Sequence, residues 1–331
     1  MRTAAWMIVS LIACDRSKPV DQASPAQVIS PTSPADSPRT AQVVGCKLPP
    51  IALRRAAPRR LVAIGDLHGD LAGARSALRA AGAIDEHDRW TGGDLVVVQT
   101  GDVLDRGEDE QAIFDLLFEL ETEAAAAGGA VVMLLGNHEL MNAAGDLRYV
   151  TRGGLNDFDD TPRLDLARWT KIPERARGRM AALGPGGSYA KRLAAHNVVA
   201  IVGDTVFSHA GVVPDWATQV DAVNHSARCW LDGQAGGFDA PPIAMTSQDS
   251  PVWTRAYGGD SVDCDALSGT LRALGVTRMV VGHTVQETGI TSACQGALWR
   301  IDVGLGKAYG GPIEVLELTP GSTPKVIRGT R

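Results

Sequence analysis

The chain has 331 residues, a formal net charge of −6, and 44% hydrophobic and 21% charged residues, the balance of an ordinary globular protein with ample material for a packed core. The acidic excess speaks against general nucleic-acid binding, which calls for a basic balance. No apolar run approaches the roughly 18 to 20 residues that a membrane span needs.

In chain order, Arg2 precedes a short apolar stretch from Ala4 to Ala13, which ends in Leu11-Ile12-Ala13-Cys14. That is the order of a signal peptide, with a positive start, a brief apolar region and a small-residue cleavage site. Leu-Ile-Ala-Cys resembles the lipobox of bacterial lipoproteins. The resemblance implies a signal over residues 1–14, cleavage before Cys14 and lipidation of that cysteine. Asp15 resembles the inner-membrane retention signal of enteric lipoproteins. The expected location is therefore the bacterial cell envelope, lipid-anchored at the inner or outer membrane and facing the periplasm.

Residues 15–55 read as a disordered tether. They are rich in Pro, Ser, Thr, Gln and Ala, with prolines at 19, 25, 31, 34, 38, 49 and 50, and cannot bury enough apolar surface to offset chain entropy. Contact with the membrane is expected through the N-terminal lipid only, and stable anchoring needs two or more acyl chains. Four cysteines follow Cys14: Cys46, Cys229, Cys264 and Cys294. They permit two disulfides in any of three connectivities, or free buried thiols. Pairing among the three downstream cysteines is expected over any bond to Cys46 at the end of the tether.

A catalytic domain is expected over residues 56–320, with a tail over 321–331. Leu61 to Ile64 reads as a buried strand, and Asp70 can cap a helix carrying Leu71, Ala74, Leu78 and Ala81, closed by Gly82. Leu95 to Val98 is the next strand. Glu108 to Ala127 is a long helix with Ile113, Leu116, Leu117 and Leu120 on one face, ended by Gly128-Gly129. Val131 to Leu135 is a third strand. This βαβαβ order implies right-handed crossovers and a largely parallel sheet.

Residues 140–196 form a polar insert, helical in parts. From Ala143 to Ala195 it holds ten Lys or Arg against six Asp or Glu, about +4 within an acidic chain. Such charge can line the approach to a site and attract phosphorylated substrates; the plainer reading is a solvated helical surface. Strands then dominate: Val198 to Val202, Thr205 to His209, Met279 to Val281, Leu298 to Val303 and Ile313 to Leu318. Gly203-Asp204 turns a hairpin between the first two. Alternating elements followed mostly by strands suggest a second sheet packed on the first.

Each of the first three strands delivers a polar cluster to its carboxyl end: Gly65-Asp66-Leu67-His68-Gly69, Gly101-Asp102-Val103-Leu104-Asp105-Arg106-Gly107 and Gly136-Asn137-His138-Glu139. That edge is where open α/β sheets bind ligands. His209-Ala210-Gly211 and Gly282-His283-Thr284 repeat the pattern in the later strands. A single His at a strand end is more often structural than ligating. Six residues arriving from separate strands are not explained that way. Asp66, His68, Asp102, Asn137, His209 and His283 combine three oxygen donors with three imidazoles. The mixture suits two borderline divalent ions, Mn²⁺, Fe²⁺ or Zn²⁺, rather than Ca²⁺. Asp102 sits centrally among the opening strands and is the natural bridging carboxylate.

Together these motifs resemble the calcineurin-like metallophosphoesterases, and Asp105-Arg106-Gly107 resembles the phosphoprotein phosphatase branch. Met141-Asn142, Gly145 to Val150 and Ser250 to Arg255 are similar to the Shewanella-like protein phosphatases of bacteria and plants. The resemblance implies an α/β fold of two mixed β-sheets packed as a central sandwich flanked by helices. It implies a first metal on Asp66, His68 and Asp102 and a second on Asp102, Asn137, His209 and His283, with Mn the expected ion in vitro. It further implies attack of a metal-bound hydroxide on phosphorus, phosphate held by Arg106 and Arg255, and protonation of the leaving oxygen by His138, oriented by Asp105. The expected substrate is a phosphorylated protein or peptide, on Ser/Thr or Tyr, with no nucleic acid partner. The alternatives are a hydrolase of small phosphoesters or nucleotides, including diadenosine polyphosphates, and a non-catalytic metal- or phosphate-binding lipoprotein.

Overall fold

Buried strands that read as unbroken apolar runs must be covered on both faces, and the two sheets of this protein show how. The computed structural model describes residues 45–161, 172–237 and 240–331. The first sheet comprises β2 (Leu61–Ile64), β3 (Val96–Gln99), β4 (Ala130–Met133), β10 (Glu314–Leu318) and β11 (Lys325–Arg328), in the order β11-β10-β2-β3-β4. Its β2, β3 and β4 are parallel, and β10 and β11 join antiparallel. The second comprises β1 (Arg54–Arg55), β5 (Val199–Val202), β6 (Thr205–Ser208), β7 (Arg278–Val281), β8 (Thr291–Ala293) and β9 (Leu298–Arg300), in the order β1-β5-β6-β7-β9-β8.

Side chains alternate across a strand, and here the alternation sorts the core into layers. Leu61, Ala63, Val96 and Val98 join Ala200, Val202, Phe207 and Val280 in one cluster, which is the layer between the sheets. Their neighbours Val62, Ile64, Val97, Val199, Ile201, Val206 and Met279 belong to a second cluster with the helices. The helices covering the outer faces include α1 (Leu71–Ala80), α2 (Glu110–Ala126), α6 (Val220–Leu231) and α8 (Cys264–Leu274); the shorter α3 (Asn137–Ala143), α4 (Arg177–Leu183), α5 (Ser188–Leu193) and α7 (Ile243–Thr246) fill the ends. Asp70 caps α1 by accepting from Gly73 N at 2.9 Å. Two mixed sheets flanked by helices are the architecture the motifs implied.

Four expectations move. Residues 45–55 are not free tether: β1 pairs parallel with β5, and Lys47 N donates to Gln234 Oε1 at 2.8 Å. Cys46 is bonded to Cys229, and Cys264 to Cys294, so the expected pairing confined to the downstream cysteines is corrected. The strand at 54–55 draws the preceding segment across α6, where Cys229 waits. Residues 321–331 are not a tail either, since β11 extends the first sheet and Arg331 Nη1 donates to Asp70 Oδ2 at 2.7 Å. The strand expected over Leu298 to Val303 ends at Arg300, because the chain leaves the ladder to turn Asp302 toward Asp66.

Candidate active site

The carboxyl ends of β2, β3, β4, β6 and β7 converge at one edge of the sandwich. All six expected metal ligands, together with Asp105 and His138, are buried there. The loops are bent hard to do this. Of the eight described non-glycine residues with positive φ, five are His68, Asp102, Asp105, Arg106 and His283. Such left-handed backbone costs about 1–3 kcal/mol per residue and persists where the surroundings over-determine it. Two glycines make room for the carboxylates: a Cβ on Gly136 would lie 2.2 Å from Asp102 Oδ1, and one on Gly282 would lie 2.3 Å from Asp66 Oδ1.

Hydrogen bonds to the backbone set the ring tautomers. His68 Nδ1–H donates to Leu104 O and His209 Nδ1–H to Thr100 O, both at 2.9 Å. Each ring therefore offers the Nε2 lone pair inward. Around His209 Nε2 lie Asn137 Oδ1 at 2.8 Å, His283 Nδ1 at 3.1 Å and Asp102 Oδ2 at 3.2 Å. His68 Nε2 is 3.9 Å from the same Asp102 oxygen and 4.0 Å from Asp66 Oδ2. Buried acceptors facing acceptors repel unless a cation lies among them. The donor set thus fits divalent metal, with Asp102 Oδ2 shared between the two groups of imidazoles.

The electrostatics agree. Burial pushes the Asp66 carboxyl well above the usual range, and the neighbouring Asp302 and Asp102 add to the shift. Burial acts the same way on Asp102, but its interactions with the surrounding imidazoles of His209, His138 and His68 outweigh it and hold that carboxyl well below its usual range. Burial lowers His68 to about 4 and His283 to about 2, so both are neutral and able to ligate.

Beside this cluster stands a different arrangement. His138 Nδ1 bonds Asp105 Oδ2, and His138 N donates to Asp102 Oδ1 at 2.9 Å. Burial works against a charged His138 ring, yet Asp102 and Asp105 overcome it and raise its pKa. Arg106 Nη2 lies 3.5 Å from His138 Nε2, and its guanidinium is flanked by the rings of Tyr149 (4.7 Å) and Tyr309 (5.1 Å). Arg255 Nη1 donates to His283 O at 3.0 Å and to Thr284 Oγ1 at 2.9 Å. All the expected phosphate and proton-transfer residues thus reach the metal-binding edge. Cys14 lies outside the described residues.

With this geometry in view, the comparison with known proteins is direct: residues 59–287 match the calcineurin-like phosphoesterase family. The chain belongs to that family. It is a metallophosphoesterase, and the family's dependence on a dinuclear metal centre accords with the His and Asp groups described above. Shewanella-like protein phosphatase 2 of Arabidopsis thaliana is 40% identical over 307 residues, covering 82% of this chain and 78% of the relative. Shewanella-like protein phosphatase 1 of Plasmodium berghei is 28% identical over 76% of this chain and 69% of its own. The cold-active protein-tyrosine phosphatase of a psychrophilic Shewanella species shares the fold, with a TM-score of 0.69 at 23% identity, over 84% of this chain and 83% of that one.

Four site features of this family member escaped the motif reading. Asp302, from the turn after β9, is buried against Asp66, and burial raises its pKa too; a carboxylate interrupting Ile301-Asp302-Val303-Gly304 was the available signal. Glu139, within a quoted motif, accepts from the backbone N–H groups of Asp102, Val103, Leu104 and Gly136 at 2.8, 2.9, 3.2 and 2.8 Å. It ties the β3 and β4 loops together. Tyr149 and Tyr309, both about 40% exposed, wall the mouth. Glu110 and Arg179 lie beneath Asp105. A third His/Cys cluster, Cys46, His225 and Cys229, is occupied by the disulfide.

Part of the insert's charge is taken up by partners within the protein. Arg179 is wholly buried against Glu110. Arg192 pairs with Asp115 at 3.1 Å and Arg148 with Asp146 at 2.7 Å. Among the described residues this favours the structural reading of the insert over long-range attraction of substrate.

Proposed function

We propose that this metallophosphoesterase is a protein phosphatase, releasing phosphate from phosphorylated protein or peptide side chains. The observation that carries the reading is a guanidinium, Arg106, held 3.5 Å from a buried imidazole that bonds Asp105 and lies 3.7 Å from Asp102. Asp66, His68 and Asp102 would hold one ion, and Asp102, Asn137, His209 and His283 the other. When bound, divalent ions lower the pKa of water and withdraw charge from phosphoryl oxygens. Arg106 and Arg255 grip those oxygens, where a guanidinium fork fits two at once. His138, oriented by Asp105, keeps a proton at Nε2 for the departing oxygen. Water attacks phosphorus in line with that oxygen, and no covalent phosphoenzyme forms.

The protein substrate is supported by the relatives from Arabidopsis and Plasmodium, both named as protein phosphatases. Purified protein starting at residue 45, assayed with Mn²⁺, should hydrolyse p-nitrophenyl phosphate together with a phosphotyrosine or phosphoserine peptide. Turnover of dinucleotides but neither peptide would overturn the proposal in favour of a small-substrate hydrolase. Metal binding without any turnover would leave only a binding protein. Mn²⁺ is the proposed ion; Fe²⁺ or Zn²⁺ restoring more activity to chelated protein would replace it.

We further propose export and lipid anchoring through Cys14. Two disulfides support an oxidising compartment, and no helix among the described residues is long and apolar enough to cross a membrane. A radiolabelled fatty acid should mark the wild type and not Cys14→Ala; equal labelling of both rejects the anchor.

A further inference from the structure

Arg179 is a buried cation with an unusual number of obligations. It comes from α4, inside the polar insert, and its side chain is wholly excluded from water. Nη1 and Nη2 both reach Glu110, which also accepts from the backbone N–H of Asp105. Nη2 lies 3.4 Å from Asp105 Oδ1, Nε donates to Asn142 Oδ1 at 2.7 Å, and Nη1 donates to Gly154 O at 2.8 Å. Asn142 closes the circuit, donating to Asp105 Oδ1 at 3.0 Å and to His138 O at 2.9 Å. One guanidinium therefore fixes Asp105 from below in three ways: by charge, through Glu110 and through Asn142.

We infer that Arg179 is a positioning residue for proton delivery: it holds the Asp105 carboxylate aimed, and Asp105 in turn aims His138. The inference deepens the proposed function and rests on its reading of His138 as the proton donor. The chemistry is a single transfer. As the bond from phosphorus to the ester oxygen breaks, the proton on His138 Nε2 moves to that oxygen. Without Arg179, Glu110 would be a buried carboxylate that has lost its cation, and Asp105 would keep only His138 and Asn142 as side-chain donors, a state relieved by protonation of Glu110 or by rotation of Asp105. Either change loosens the imidazole while leaving the metal-facing residues in place. The insert thus contributes an inward charge, at a position where a plain surface reading predicts a solvated one.

The diagnostic is the leaving group. A poorly basic leaving oxygen, as in p-nitrophenyl phosphate, departs without a proton; phenyl phosphate needs one. Arg179→Met should lower kcat on phenyl phosphate by roughly 10- to 100-fold, the usual effect of losing a partner that orients a functional group. On p-nitrophenyl phosphate kcat should be nearly unchanged, with KM and bound metal unaltered on both. Arg179→Lys, which keeps the charge and loses the fork, should recover part of the loss. His138→Ala, run in parallel, should show the same contrast more strongly. Equal losses on both substrates for Arg179→Met, beside a contrast in His138→Ala, would reduce Arg179 to a structural role. Absence of the contrast in His138→Ala as well would overturn the reading of His138 and this inference with it. Should Arg179→Met not fold, Arg179→Lys decides: it must show the contrast in weaker form, and equal loss on both substrates rejects the inference.

Discussion

Two polar clusters lie side by side at the edge of the sandwich, equally buried and oppositely satisfied. Around His209 Nε2, lone pairs of Asn137, His283 and Asp102 face one another with too few protons among them. Beneath His138, each carboxylate oxygen of Asp105 has a donor beside it, and Arg179 is bonded through all three of its nitrogens. The first cluster is complete only with cations; the second is complete as it stands. Burial of charge therefore does not by itself mark a metal site. What marks it is the kind of partner each buried atom faces.

Asp102 belongs to the first cluster but touches the second through His138 N, so its replacement tests the division most severely. Asp102→Asn should empty both metal positions and abolish detectable turnover, measured by elemental analysis alongside the phosphatase assay. Retention of one full equivalent of metal would contradict a shared ligand. His138→Ala comes next: metal content should stay at the wild-type level while kcat on phenyl phosphate, whose leaving oxygen needs a proton, falls by roughly 10²–10⁴-fold, the range for a general acid. Loss of metal in step with activity would merge the two clusters into one. The smallest effect on turnover is expected outside both. Cys46→Ser opens a bond that spans 183 residues, and should lower stability by about 2–4 kcal/mol in urea unfolding with kcat unchanged at low temperature. A matching fall in kcat would tie the N-terminal segment to the site.

The readable and unreadable parts of this protein differ by how far apart their partners lie in the chain. Asp66, His68, Asp102, Asn137, His209 and His283 were legible because each closes an apolar strand, and strands of one sheet share an edge. Glu139 was in view without a role, since its four bonded N–H groups come from two loops more than thirty residues apart. Arg179 was legible only as charge: its partners at positions 105, 110, 142 and 154 meet it only through the packing of α4 on α2 and α3. The partner of Cys46 was misjudged for the same reason, because composition marked residues 15–55 as tether and could not show a two-residue strand joining β5.

By itself, then, the sequence determined the strand-end polar clusters, the arginine and histidine beside them and the layered α/β plan, since local periodicity and short motifs encode those directly. Tertiary structure alone decided which lone pairs face which, that Asp302 backs Asp66, that Arg179 points inward and that Cys46 meets Cys229. These are contacts between distant segments, set by how the sheets and helices pack, and no local pattern in the chain specifies them.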